Sequence, residues 1–260
     1  MGFAPVVLGR TGLVVGRLGV AASYGVPTKA VEEAFEQGIN YLYWGTYRRG
    51  GMGKAVRAIV KRNREKAVVV LQSYTRFPWF LSQSVESGLK RLGLDYADVL
   101  ILGMFNRTPR AGLLRAARKL KEQGKIRFLG ISTHNRKMVP VWEKDRLFDV
   151  YHIRYNAVHI GAERDIFPHL ASENGPGMVA FTVTNWGQLV SKRRIPRGEE
   201  PLTASDCYRF ALSHPAVHVA ITGPKNAREM RENLKALELG PLSPEEMARV
   251  RRLGERLYRK

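Results

Sequence analysis

Cysteine is almost missing from this chain: Cys207 stands alone among 260 residues. A single thiol closes no intramolecular disulfide and builds no CxxC metal site, and it suits a reducing compartment. Acid is scarce as well. Asp and Glu number 23 against 43 Lys and Arg, a net charge of +20. A field of that sign favours anionic partners, whether nucleic acid, an acidic membrane surface or a phosphorylated cofactor. The cations are spread over KRNREK (61 to 66), SKRRIPR (191 to 197) and RVRRLGERLYRK (249 to 260), which reads first as solvated helix faces. No apolar run reaches the roughly 18 residues of a membrane span, and MGFAPVVLGRTG has no charged segment followed by an apolar stretch. No membrane partner and a cytoplasmic location are the resulting expectations. The six histidines lack ligand spacing and HExxH is absent, so no metal is expected. GGMGK (50 to 54) misses the GxxxxGK[ST] pattern, because Arg48 stands at the first glycine position and Ala55 follows the lysine.

What is present is a regular alternation. From residue 17 onward, short apolar runs alternate with amphipathic stretches, the pattern of repeated strand-helix units. RLGVAAS, INYLYW, AVVVLQS, DVLILGM, IRFLGIS, FDVYHIRYN, GMVAFTV and VHVAITG read as eight strands. They are nearly continuous apolar runs, which marks a parallel sheet covered by helices. Thr28 is expected to cap the first helix, and the sixth helix is expected near Glu163 to Asn174. Eight units in this length predict one domain over residues 1–260, an α/β fold of the (β/α)8 barrel type. PVVLGRTGLVV (5 to 15) adds an N-terminal hairpin plugging the bottom, and Ser243 to Arg259 an extra C-terminal helix.

In such a barrel the chemistry gathers where strands run into the following loops. YLYWGTYRR (41 to 49) falls there, which turns its aromatics from a base-stacking surface into pocket wall. So does ITGPKNAREMRENL: Gly223 to Asn226 join a strand to a helix N-terminus, where free N–H groups, the helix dipole and Lys225 favour an anion such as phosphate. A plain turn capped by Asn226 fits the same residues.

Together, LGRTGLVVGRLGV, GINYLYW, LGLDYADVLIL, KIRFLGIS, DVYHIRYN and TGPKNAREMREN resemble, in order along nearly the whole chain, the aldo-keto reductases, NADPH-dependent (β/α)8 enzymes. The resemblance implies NADP(H) as cofactor and a small-molecule carbonyl as substrate. Ser132 matches the serine that holds the nicotinamide carboxamide, and Phe181 the aromatic against the nicotinamide face. Lys225 and Asn226 match the loop at the adenosine 2′-phosphate, and Glu232 with Asn233 the pair near the adenine. His152 stands at a cofactor position where the family usually has a glutamine for the carboxamide; histidine can still offer a hydrogen bond there, with different reach. The catalytic positions depart further: the family's aspartate aligns with Tyr43, its lysine with Gln72 or Ser73, and its histidine with Gly103. Its proton-donating tyrosine is matched by Tyr47, one residue short in spacing.

Three functions follow as expectations. The first is an atypical NADP(H)-dependent oxidoreductase, in which Tyr47, Tyr43 and His134 carry the proton and Arg48 or Arg154 supplies positive charge. The second is an inactive NADP(H)-binding or interaction protein on the same fold. Nucleic-acid binding by the basic surface comes third, because the cations are distributed rather than gathered on one face.

Overall fold

Each strand of the large sheet buries both its faces, and this double burial makes the strands so uniformly apolar. The computed structural model describes residues 2–45, 48, 50–170 and 173–258. Strands β1 (Val6–Val7) and β2 (Val14–Val15) pair antiparallel as the hairpin, with Val6 opposite Val15. The other eight strands are β3 (Leu18–Ala21), β4 (Tyr41–Trp44), β5 (Val68–Ser73), β6 (Ala97–Leu102), β7 (Ile126–Thr133), β8 (Val150–Arg154), β9 (Gly177–Phe181) and β10 (Val219–Thr222). They run parallel in sequence order and close into a barrel where β10 pairs with β3.

Side chains alternate across these strands, so one strand feeds two cores. Val20, Leu42, Leu71 and Leu100 point outward to the helices. Tyr41, Val70, Val99 and Val179 point inward and meet Leu8, Leu13 and Val15 from the hairpin, which closes the barrel bottom. The helices α1 (Thr28–Glu36), α2 (Met52–Asn63), α3 (Pro78–Leu92), α4 (Ala111–Glu122), α5 (Met138–Lys144), α6 (Ala162–Asp165), α7 (Ala204–Leu212) and α8 (Ala227–Leu239) follow the strands, and α9 (Pro244–Tyr258) ends the chain. Its Val250 and Leu253 are buried, as an amphipathic face requires.

Two local expectations are corrected. Thr28 does not cap α1: Pro27 precedes the helix, and the Thr28 hydroxyl donates to the Gly51 carbonyl at 3.0 Å. It therefore ties α1 to the start of α2. The sixth helix is also shorter than expected: α6 ends at Asp165 and a single 3-10 turn, Phe167–His169, follows it, while residues 171 and 172 lie outside the described residues. Pro168 lies in that turn, and its missing N–H and ring prevent an α-helix from continuing.

At the bottom, Asp98 is 1 % exposed. Its carboxylate accepts from Arg64 Nη1 at 2.9 Å, Arg127 Nη1 at 3.0 Å and the Val69 N–H at 2.8 Å. Arg64 also donates to the carbonyls of Ala67 and Tyr96. One buried carboxylate thus joins the end of α2 to β5, β6 and β7. Arg209 plays a similar part at the C-terminus, where both Glu246 oxygens accept from it at 2.7 Å and the carbonyls of Gly240 and Pro241 accept its other N–H groups.

Candidate active site

The alternation that builds two cores also selects which strand-end residues meet inside the barrel. Val68 and Val70 face inward on β5, so Gln72 does too, whereas Ser73 faces the helices. The same count carries Tyr43, Gly103, Ser132, His152 and Phe181 to the inner ring at the C-terminal end. Trp44 goes the other way and packs outside against α2, where a Cβ on Gly53 would lie 2.6 Å from its ring.

Above this ring opens a cavity of about 770 Å³, lined by Tyr43, Gln72, Ser132, His152 and Phe181 and closed on the far side by Thr222, Lys225, Glu229 and Asn233. Ser132 Oγ accepts from the Met104 N–H at 2.8 Å and from Gln72 Nε2 at 3.3 Å. Gln72 is 4 % exposed, and its Oε1 is a buried acceptor without a hydrogen-bond partner. A Cβ on Gly103 would stand 2.9 Å from Gln72 Nε2 and 2.8 Å from the Tyr74 ring. Glycine at 103 is what lets these two side chains occupy that corner.

Two inward groups are held uncharged by burial. Tyr43 has its hydroxyl pushed well above the ordinary phenol value, first by desolvation and then by the neighbouring Tyr74 and Tyr41. His152 packs 5.3 Å from the Tyr43 ring and shares a 2.7 Å hydrogen bond between its Nε2 and the Tyr41 hydroxyl. Desolvation lowers it from 6.5 to about 3. A buried histidine that must stay neutral makes the fold acid-sensitive. In the unfolded chain it binds a proton as pH falls through 6.5, and in the folded protein it does not until about 3. Its contribution is complete above 6.5 and is lost on acidification. We expect unfolding free energy to fall by up to about 1.4 kcal/mol per pH unit from this residue across that window. Denaturant titrations of the protein and of His152→Gln between these pH values check it: the variant should show a shallower slope.

The remaining sequence candidates sort clearly. Tyr47 lies outside the described residues. His134 is exposed and stands outside the cavity lining, with its ring 5.6 Å from Phe181; partial desolvation and then the Arg154 charge lower its pKa. Asn226 caps α8, its Oδ1 accepting the Glu229 N–H at 2.9 Å. Asn233 reaches the cavity wall and donates to Thr222 Oγ1. Glu232 does not line the cavity and is paired with Lys235 at 2.7 Å.

Sequence reasoning missed Glu229. It lies four residues before Asn233, hence on the same helix face, and its carboxylate accepts the Lys225 N–H at 2.8 Å. Helical spacing from Asn233 is the signal that would have found it. The loop after β9 was missed too: Thr182, Thr184, Trp186, Gly187 and Val190 line the cavity, and Thr182, Asn185, Trp186 and Gly187 all have positive φ. Among the described residues, no group of three or more His, Cys, Asp or Glu is placed to hold a metal, and no helix is long and apolar enough to cross a membrane. Cys207 is buried and its thiol is pushed well above the ordinary range by desolvation.

A closed eight-stranded parallel barrel with an N-terminal hairpin, and a cavity at the strand ends running to a helix N-terminus, is the architecture of a family of nicotinamide-dependent oxidoreductases. The model of the Aldo/keto reductase family matches residues 27–206 and 197–255, and the chain belongs to that family. It is 28 % identical over 281 residues to the L-galactose dehydrogenase of Arabidopsis thaliana, covering 88 % of this chain and 86 % of that one. It is 22 % identical over 218 residues to the NADH-specific methylglyoxal reductase of Escherichia coli K12, covering 70 % of this chain and 66 % of that one. The holo form of aldo-keto reductase AKR11C1 from Bacillus halodurans superposes with a TM-score of 0.80 at 24 % identity, over 96 % of this chain and 95 % of that one, a likeness of fold.

Proposed function

We propose that the protein binds NADP(H) in this cavity and is an atypical carbonyl or alcohol oxidoreductase with altered proton chemistry. The observation that carries the reading is convergence: Ser132, Phe181 and Lys225, matched separately to cofactor positions, line a single cavity. The fit is chemical as well as spatial. Gln72 Oε1 is a buried acceptor in need of a donor, Phe181 is a flat apolar wall, and the α8 N-terminus with Lys225 favours an anion. Ser132 and Gln72 would hold the carboxamide, Phe181 would support the nicotinamide face, and Lys225 would meet the 2′-phosphate. The bound cofactor would supply the hydride.

The chain's own part is chiefly positioning. Tyr43 and His152 both stay uncharged near neutrality, so they orient a carbonyl by hydrogen bonding without readily giving up a proton. Loss of general-acid assistance costs roughly 10²- to 10⁴-fold in rate. Carbonyl reduction should accordingly be slow, and this same feature favours the second reading, an NADP(H)-binding protein that does not turn over.

Titration with NADPH and NADH, followed by cofactor fluorescence, tests the proposal. Saturable binding is expected, with Lys225→Ala weakening NADPH about tenfold and NADH little, as for loss of a charge-assisted hydrogen bond. Glu229→Gln should strengthen NADPH severalfold, because its carboxylate otherwise occupies the anion position beside Lys225. Failure to bind either cofactor would move the protein to the interaction class.

A further inference from the structure

Exposed aromatic rings are gathered at one end of the barrel. Among the described residues, seven aromatic side chains are exposed, and six of them, Tyr24, Tyr74, Phe77, Trp79, Phe80 and Trp186, follow strand C-termini. They are densest from the end of β5 into the first turn of α3, where residues 76 to 80 are all exposed, Trp79 at 73 % and Phe77 at 63 %. Scattered single apolar residues need no explanation, but a contiguous group of large ones marks an interaction surface. This ridge is braced. Arg76 donates to the carbonyls of Tyr74, Gly103 and Met104 at 2.8–3.0 Å, and its guanidinium lies 3.8 Å over Phe105.

The two stretches that meet here hold no acid before Glu86 and Glu122. Residues 66 to 85 contain no Asp or Glu, and residues 104 to 121 contain six cations and no acid. In the second stretch Arg107, Arg110 and Arg115 are exposed. The start of α4 packs beside that of α3: a Cβ on Gly112 would lie 3.4 Å from Pro78 and 3.9 Å from the Arg115 guanidinium. Cations therefore flank the aromatics.

We propose that this face docks on an anionic lipid bilayer, with Phe77, Trp79 and Phe80 at the headgroup boundary and Arg107, Arg110 and Arg115 against anionic headgroups. Aromatic rings beside cations are the chemistry of interfacial binding, which needs no spanning segment. The absence of an apolar run, from which no membrane partner was expected, therefore does not bear on it. A second copy of the chain fits poorly, because a two-fold contact would set like-charged surfaces against each other. Single-stranded nucleic acid wants open ring faces along a groove, and here Phe77 and Phe80 meet edge to face on a helix start, 6.1 Å apart.

The placement relates the docked face to the cavity. In the eight-strand ring β5 and β6 stand three and four places from β10, so the ridge after β5 and the arginines after β6 lie on the side of the barrel mouth away from Lys225. Tyr74 is half exposed on the ridge side and lines the cavity. Resting on the oxidoreductase reading, the substrates would be carbonyl compounds that partition into lipid; docking itself does not depend on that reading.

Cosedimentation of the full chain with vesicles tests the docking. The protein is expected to pellet with phosphatidylcholine vesicles that contain phosphatidylglycerol, not with phosphatidylcholine alone, and to be released by salt. R107E/R110E/R115E should weaken partitioning at least about fivefold per charge. F77S/W79S/F80S should weaken it about tenfold while leaving circular dichroism and thermal midpoint unchanged, since these side chains are exposed. K61E/R62E/K66E, at the opposite end of the barrel, should stay within about twofold, being beyond screening distance from the contact. The proposal is overturned by no pelleting with phosphatidylglycerol at low salt, or by equal loss in the opposite-end variant, which would mean net charge without a face. It is also overturned if the serine variant keeps vesicle binding and instead loses binding to a single-stranded oligonucleotide.

Discussion

Asp98→Ala is expected to lower the unfolding free energy by about 3–5 kcal/mol, the cost of removing one partner from a buried ion network. The carboxylate accepts from two arginines and one backbone N–H at 2.8–3.0 Å. Its removal strands Arg64, which is four-fifths buried, beside an unpaired Val69 N–H. Three elements then lose their common anchor at once. For a chain of this size the thermal midpoint should fall by on the order of 10 °C. Asp98→Asn should cost less, because an amide oxygen can still accept although the charge is gone. Asp145→Ala, at an exposed site after α5, should shift stability by no more than about 0.5 kcal/mol. An Asp98→Ala midpoint no lower than that of Asp145→Ala would show that the network is not what holds the barrel bottom.

Rebuilding the family's proton-supplying neighbours should raise carbonyl reduction roughly 10²- to 10⁴-fold, the usual worth of general-acid assistance. The combined variant is Tyr43→Asp, Gln72→Lys and Gly103→His. Position 72 is chosen over 73 because inward parity on β5 aims it into the cavity. An ammonium there, countered by a carboxylate on neighbouring β4, would ease proton loss from a phenol brought beside it. Gly103→His alone should give no gain, since the ammonium and carboxylate that ease proton loss are still missing from positions 72 and 43. Steady-state rates with a panel of aldehydes and NADPH, alongside circular dichroism, make the comparison. If Tyr47 is the acid, adding Tyr47→Phe to the combined variant abolishes the gain. A folded, cofactor-binding triple variant with no gain would refute the view that missing neighbours limit turnover.

The barrel was legible in the sequence because it is written in local terms. Eight apolar runs, each short and followed by an amphipathic stretch, leave few alternatives once connections must be right-handed and close. The exceptions were also local: Pro168 shortened α6, and Pro27 took the position ahead of α1 that Thr28 was expected to fill. Ser132, His152 and Phe181, singled out through the family resemblance, sit at inward strand ends and line the cavity. On α8 the linear match to Glu232 and Asn233 placed Asn233 on the cavity wall and passed over Glu229, because a helix turns 100° per residue and Glu232 points elsewhere.

By itself the sequence determined the order of strands and helices, the barrel and the strand ends at which the cavity opens, since hydrophobic periodicity specifies these without knowledge of distant contacts. Only the tertiary structure decided which of two neighbouring residues faces inward, which carboxylate shares the anion corner with Lys225, and that an aromatic ridge meets an acid-free basic loop. Those juxtapositions join residues tens of positions apart, and they arise from barrel closure and helix packing rather than from any local preference of the chain.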